Sequence, residues 1–269
     1  RGQMSRNLQK ERYEMKKVYK LISMLLIMSF CIQLTVSASV TELDKKWKIA
    51  WLDYGRTIVG NVDEFCEFRE RAADYGRVNY FNYDQAVRAG RSGALTASGA
   101  MRVCEDRKIP LVVTCGIGGL VPDQCAEKCN DLRALMQSKV SMLATSFKDM
   151  FDFLYSVEQA EKSGVRVCVS DETLPGGYMF LPQEASGTRL PEVKTATPHM
   201  LCLNPIPAEK RIQDYRILEE SVIYGKEQEK QGRYFHPAVN ARIDELTGGR
   251  SSEIQLESLI ANAHFAEDI

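Results

Sequence analysis

The sequence lacks several features that mark particular classes of protein. It has no surplus of charge, since 35 basic and 36 acidic residues leave a net charge of −1. It also has no stripe of basic and aromatic residues, and both absences argue against a surface for nucleic acid. No internal repeat, low-complexity tract or linker rich in Pro, Ser and Gly divides the 269 residues, so one α/β domain is the simplest expectation.

Residues that usually build metal sites and catalytic triads are few or scattered. Only three histidines occur, and their positions favour neither a triad nor a metal cluster. The eight cysteines form no C-x-x-C pair, and most lie in apolar segments, as reduced core cysteines do. Cys125 and Cys129 could bind zinc from one helix, but no His or second Cys pair accompanies them.

One long hydrophobic run is present, and it lies near the N-terminus. Residues 1–20 contain seven basic and two acidic residues and precede an apolar run at 21–36. From Met15 onward, the order of basic, apolar and small residues is that of a signal peptide, with cleavage expected near Ala38. The run is short for a membrane span, at about 24 Å of helix against roughly 30 Å of hydrocarbon. The alternative is that the run at 21–36 is a buried strand or helix of the core. The cysteines, if reduced, favour a cytoplasmic location for the protein.

The remaining chain alternates apolar strands with amphipathic helices, which is typical of helices that cover a parallel sheet. At its centre, a strand at 111–114 enters a glycine turn and a helix of about four turns. A second strand at 140–143 then opens into a helix near Ser146, so the order predicts a βαβ unit with parallel strands. We expect a layered α/β/α fold around a mostly parallel sheet, with the site at its carboxyl edge.

The same patterns predict further elements on both sides of this unit. Strands are expected at residues 48–53, 77–81, 165–169 and 200–203. Helices are expected at residues 62–75, 84–89, 96–108, 208–230 and 236–246, and from 251 to the end.

Two features at this edge could carry chemistry. The backbone N–H groups of Gly116, Gly118 and Gly119 could hold a phosphate, although a tight turn alone would explain these glycines. Lys148 lies among apolar residues at the start of a predicted helix, where burial and the helix dipole disfavour the charged amine. A neutral lysine amine can attack a sugar aldehyde and form a Schiff base. An exposed helix lysine is the alternative.

Two carboxylates and an amide are further candidates. Glu127 and Asp131 are four residues apart on the predicted helix and would share a face, which suits a hard divalent cation. A solvated acidic face is the alternative. Asn204 follows a predicted strand and precedes a proline, so its amide is expected at the same sheet edge, unless the residue only forms the turn.

Taken together, these segments resemble the pseudouridine-5′-phosphate glycosidase family, also called indigoidine-synthase-A-like. The resemblance covers residues 49–269 as one domain and leaves residues 1–48 as a divergent N-terminal segment. Its most specific segments are LNPIP at 203–207 and ELTGGRS at 245–251, within a C-terminal stretch that reaches Asn262. It also includes 90–101, 114–119, 163–175 and the Lys148 segment with Asp152.

The resemblance implies an enzyme that opens the ribose of pseudouridine 5′-phosphate, holds C1′ as a Schiff base on a lysine, and releases uracil. Lys148 falls on that lysine, and Arg77 stands where the family has a phosphate-binding lysine. Glu127 and Asp131 fall on the family's motif for manganese and substrate. A cytoplasmic homotrimer with a small-molecule substrate is also implied. The implied substrate-binding residues are Arg77, Ala97, Thr114, Cys129, Asn130, Asp131 and Asn204.

The sequence also departs from the family pattern at three other places. Leu120-Val121-Pro122 replace V-H-R after the glycine turn, so a histidine is lost, and Cys129 replaces a serine that binds substrate. The family's A-L-E-S-T motif, whose glutamate donates a proton, has no counterpart in residues 1–48. Loss of a general acid typically lowers a rate by ~10²–10⁴. A non-catalytic sugar-phosphate-binding protein and a C-glycoside synthase that uses another base are therefore alternatives.

Overall fold

The computed structural model describes residues 47–71, 75–171, 176–182 and 189–269. The predicted signal-like run at 21–36 lies outside these ranges, as do all of residues 1–46, so export stays a prediction. Within the described ranges, no helix is long and apolar enough to cross a membrane.

The first part of the described chain forms a mixed sheet. Its strands are β1 (Ile49–Asp53), β2 (Arg56–Gly60), β3 (Gly76–Val78) and β4 (Gly93–Leu95), arranged in the order β2-β1-β4-β3. Strand β2 was not predicted, because it arises from a hairpin. Tyr54 and Gly55 have φ of 46° and 73°, as in the type I′ turns that join twisted strands. Helices α1 (Val62–Glu70) and α2 (Tyr83–Arg88) follow β2 and β3.

The parallel sheet predicted by the sequence forms the centre of the molecule. Its strands are β5 (Leu111–Val113), β7 (Ser141–Ala144), β9 (Arg166–Val169) and β10 (Met200–Leu203), in the order β5-β7-β10-β9. Alternate side chains point to opposite faces, and both faces are buried. Met142 and Leu201 pack in one apolar cluster, whereas Leu143 and Cys202 pack in another. The predicted α/β fold around a parallel sheet is confirmed.

Helices cover this sheet and supply its apolar layers. The first face packs against α3 (Ala97–Asp106), α4 (Asn130–Gln137) and α5 (Phe153–Lys162). The C-terminal helices are α6 (Arg216–Lys230), α7 (Phe235–Leu246) and α8 (Arg250–Phe265). Helices α6 and α7 approach closely at Gly225, where a Cβ would lie 2.4 Å from Cγ2 of Val239.

Two short strands extend the parallel pairing past the carboxyl edge. These are β6 (Gly116–Ile117) and β8 (Ser146–Phe147), which pair with each other. The predicted helix start near Ser146 is therefore wrong. Helix α5 begins at Phe153, and the side chain of Asp152 caps it by accepting from the Tyr155 N–H at 2.8 Å.

The segment between β6 and β7 also differs from the prediction. Instead of one helix of four turns, it contains a 3₁₀ turn at Ala126–Lys128 and then α4. Glu127 and Asp131 consequently lie on separate elements and do not share a helix face.

Candidate active site

Lys148 lies at the carboxyl edge of the parallel sheet, where the sequence predicts the site. Its N–H donates to the Ile117 carbonyl at 3.1 Å, so the residue extends the pairing of β6 with β8. The side chain is only 4% exposed. Burial, followed by the positive charge of Arg77, lowers the pKa of Lys148 to about 8, while Asp131 opposes the shift. Roughly a tenth of the amine is then neutral at pH 7, which allows nucleophilic attack.

The sequence suggested that the dipole of a helix beginning near Lys148 would also lower its pKa, but the helix begins only at Phe153. Lys148 follows β8 and precedes the first residue of α5, Phe153, by a turn. The neighbouring group that lowers its pKa is Arg77, which belongs to β3 of the mixed sheet.

Asp131, in the first turn of α4, joins two backbone segments of the site. Its Oδ1 accepts from the Ser98 N–H at 3.0 Å, and its Oδ2 accepts from the Gly118 N–H at 3.1 Å. The carboxylate thus ties the start of α3 to the glycine turn. The Gly118 N–H, which the sequence offered to a phosphate, binds this side chain.

Arg77 is mostly buried beside an aromatic ring and a histidine. Its Nη1 lies 2.9 Å from Nε2 of His236, and its guanidinium carbon lies 5.7 Å from the centroid of the Tyr234 ring. Burial lowers the pKa of Arg77, and Asp131 partly offsets this. Burial, then Lys148 and Arg77, lower the pKa of His236 well below 6.5, so the imidazole is neutral. Sequence reasoning missed His236 because it lies 159 residues from Arg77.

Asn204 is held by side-chain hydrogen bonds along the carboxyl edge. Ser170 Oγ donates to its Oδ1 at 2.7 Å, and its Nδ2 donates to Asn262 Oδ1 at 2.9 Å. Asn262 Nδ2 donates in turn to the Thr114 carbonyl at 2.7 Å and to Thr145 Oγ1 at 2.9 Å. The network links the ends of neighbouring strands to α8 and gives the Asn204 amide one orientation.

The other predicted residues divide between the interior and the surface. Cys129 is buried, and its Sγ donates to the Gly118 carbonyl at 3.2 Å. Burial raises the pKa of Cys129 to about 12, so it stays a thiol. Ala97 is buried at the start of α3, whereas Glu127 and Asn130 are exposed. The structure thus groups Lys148, Arg77, Asp131 and Cys129, with Glu127 and Asn130 at the surface.

These positions do not build a manganese site enclosed by protein ligands. Glu127 is exposed on its 3₁₀ turn, and its pKa is lowered chiefly by its own backbone N–H. Both oxygens of Asp131 already accept backbone hydrogen bonds. The described ranges contain no group of three His, Cys, Asp or Glu side chains able to hold a metal ion. Manganese on Glu127 and Asp131 therefore stays a prediction from the resemblance.

Asp149, directly after Lys148, anchors the segment at residues 176–182. Its carboxylate accepts from the Tyr178 N–H at 2.6 Å and from the Met179 N–H at 2.8 Å, and burial raises its pKa to about 6. Tyr178 lies against Gly116, where a Cβ would come within 2.5 Å of the tyrosine ring. A glycine is thus required at position 116 for the Tyr178 ring to pack against the backbone.

The sequence of this chain is similar to a known protein family and to several of its members. The family model described as indigoidine synthase A like protein matches residues 48–269. A pseudouridine-5′-phosphate glycosidase of Geobacillus kaustophilus is 24% identical over 214 residues, covering 73% of this chain and 71% of that protein. A second, from Kosmotoga olearia, is 23% identical over 235 residues, covering 80% of each.

Two solved structures share the fold. An indigoidine synthase A-like protein from Thermotoga maritima superposes with a TM-score of 0.69 at 21% identity, covering 85% of this chain and 82% of the other. The prealnumycin C-glycosynthase AlnA, in complex with ribulose 5-phosphate, gives 0.66 at 16% identity, covering 92% and 88%. With the family model matched from residue 48 to the last residue, this chain belongs to the indigoidine synthase A-like protein family.

Proposed function

We propose that this chain is a C-glycosidase that acts on pseudouridine 5′-phosphate through a Schiff base on Lys148. The observation that carries the proposal is the buried Lys148 amine, whose pKa is lowered to about 8, at the carboxyl edge of the sheet. Such an amine is both shielded from water and available as a nucleophile. The names of the curated relatives support the choice of substrate.

In the proposed reaction, the neutral amine of Lys148 attacks C1′ of the ribose. The Nζ–C1′ bond forms as the C1′–O4′ bond breaks, and O4′ takes up a proton. The bond from C1′ to C5 of the base then breaks as the nitrogen lone pair forms the C1′=N bond. The electron pair of the broken bond stays on C5, which takes up a proton to give uracil, and C1′ is left as the protonated Schiff base. Water hydrolyses the Schiff base, which releases ribose 5-phosphate and restores Lys148. The same steps in reverse would form the C–C bond.

The other interior residues have supporting roles in this proposal. Arg77 would bind the 5′-phosphate, because its guanidinium offers several N–H donors to one anion. Asn204 would offer the free N–H of its fixed amide to the opened sugar. Asp131 holds the glycine turn and limits the excess of positive charge around Lys148.

A second candidate function is C-glycoside synthesis with a different base. The loop after β6, where family members carry V-H-R, has the fully buried Leu120 followed by exposed Val121 and Pro122. The Leu120 N–H is bound to Ser156 Oγ at 2.8 Å, so this stretch is fixed by packing and offers no imidazole. A changed loop beside the reacting sugar would favour a different base.

Release of uracil from pseudouridine 5′-phosphate tests the proposed function. The protein would be incubated with the nucleotide, with and without added manganese, and the products quantified by chromatography. We expect equal amounts of uracil and ribose 5-phosphate from the wild-type protein and neither from Lys148→Met. Ribose 5-phosphate bound covalently without uracil release would favour the synthase, and neither activity in a folded protein would favour a non-catalytic sugar-phosphate-binding protein.

A further inference from the structure

We propose that His236 is a positioning residue that aims Arg77 at the phosphate of the substrate. The inference rests on the proposed function for the identity of that substrate. It adds a residue from the first turn of α7 to a site otherwise built from strand ends and from the starts of α3 and α4.

The geometry fixes the direction of the hydrogen bond between the two side chains. Arg77 Nη1 and His236 Nε2 are 2.9 Å apart. A guanidinium has only donors, so Nε2 must accept and the ring hydrogen must be on Nδ1. Only the neutral imidazole can do this, and the lowered pKa of His236 agrees with that form.

A neutral partner such as His236 does not neutralise the charge of Arg77. Among the ion pairs formed within the described ranges, none includes Arg77. Arg77 and Lys148 are close enough to act on the same histidine, and the carboxylate that influences both of them is Asp131. The charge of Arg77 is therefore available to an anion such as a phosphate monoester.

The imidazole can therefore orient the guanidinium without reducing its attraction for an anion. A carboxylate at this position would also orient Arg77, but it would repel the phosphate. Tyr234, two residues before His236, presents its ring to the same guanidinium, so two side chains from one short segment restrict its rotation. Four other N–H groups of the guanidinium remain for the ligand.

Two variants separate positioning from a purely structural role. His236→Leu keeps an apolar side chain of moderate size but removes the acceptor. His236→Gln keeps an acceptor oxygen near the position of Nε2. His264→Leu, at an exposed histidine near the end of α8, is the matched control. The measurement is borohydride trapping of ribose 5-phosphate and of unphosphorylated ribose on Lys148, with the half-saturating concentration and the maximal rate determined separately.

We expect His236→Leu to raise the half-saturating concentration of ribose 5-phosphate about tenfold or more, with little change in the maximal rate. Ribose should be unaffected, His236→Gln should recover most of the affinity, and His264→Leu should behave as wild type. Equal loss for both sugars, or no loss for ribose 5-phosphate, would overturn the proposal.

Calorimetry with inorganic phosphate keeps this inference separate from the proposed function. If even the wild-type protein forms no adduct, the Schiff-base proposal fails, yet phosphate binding can still be compared between wild type and His236→Leu. Weaker binding by the variant would support the positioning role. Equal binding, or no binding of phosphate by the wild-type protein, would refute it.

Discussion

At the scale of single residues, the reactivity of Lys148 depends on its neighbours. Burial and Arg77 lower its pKa to about 8, and Asp131 raises it. Because only the neutral amine attacks a carbonyl, we expect the rate of adduct formation with ribose 5-phosphate to rise with pH and to level off above about 8. The rate of borohydride-trapped adduct formation between pH 6 and 9.5 measures this directly.

Asp131→Asn should move the same pH profile to lower pH, since it removes the charge that favours the protonated amine. It should also lower the free energy of unfolding by about 1–3 kcal/mol, because an amide accepts from only one of the two N–H groups that Asp131 now binds. Urea denaturation measures the second effect. An unchanged pH profile in a folded variant would contradict the assigned role of Asp131.

His236 should make stability depend on pH. Its pKa is well below 6.5 in the folded protein and near 6.5 in the unfolded chain, so the unfolded chain binds more protons below pH 6.5. Stability contributed by the neutral imidazole is thus present above pH 6.5 and is lost as the pH falls. Relative to His236→Leu, wild type should lose up to about 1.4 kcal/mol per pH unit below 6.5.

Urea titrations of both proteins from pH 7.5 to 5 provide the comparison. Asp149, whose raised pKa of about 6 gives the opposite trend, is present in both proteins, so its effect cancels in the difference. Parallel curves for the two proteins would show that His236 titrates normally in the folded state.

The location of two candidate residues could be predicted from sequence, whereas their roles stay predictions. Lys148 and Asn204 each follow an apolar strand, and parallel strand ends meet at one edge, so their common placement was predictable. His236 and Asn262 act across long chain separations, at 159 residues from Arg77 and 148 from Thr114. No local sequence pattern predicts contacts between residues so far apart in the chain.

Among the secondary-structure elements, the carboxyl edge of the parallel sheet depends on close packing between the backbone at Gly116 and the ring of Tyr178. Gly116→Ala would bring a Cβ to 2.5 Å from the Tyr178 ring, which is fully buried and held through Asp149. Such overpacking typically costs about 1–3 kcal/mol. We expect a corresponding loss in the free energy of unfolding, measured by urea denaturation.

Gly76→Ala is the matched control, because nothing lies within 4 Å of a Cβ at that strand glycine. It should change stability little. Equal effects of the two substitutions would mean that the packing of Tyr178 on Gly116 does not restrict this position.

The wrong helix start near Ser146 has a physical cause. Strands β6 and β8 have two residues each, and they exist because they pair with each other, not because of local propensity. The sequence pattern therefore predicted a helix start near Ser146, although Asp152 is the residue that caps α5. The longer strands and α3, α7 and α8 followed their patterns, since apolar periodicity dominates in such segments.

At the scale of the whole molecule, a homotrimer stays a prediction from the resemblance. Light scattering of the purified protein should then give three times the 30.4 kDa of one chain. Among the described residues, Ile223 and Tyr224 of α6 are large apolar side chains that are 66% and 39% exposed, and burial at a subunit contact would shield them from solvent. A mass of one chain at micromolar concentration would contradict the prediction.

Peptide mass spectrometry after borohydride treatment with ribose 5-phosphate tests directly whether Lys148 is the nucleophile. We expect one reduced ribose-phosphate adduct, located on Lys148 and absent from Lys148→Met, which removes a buried cation and should remain folded. An adduct on another lysine, or uracil release by folded Lys148→Met at the wild-type rate, would contradict the assignment of Lys148 as the nucleophile.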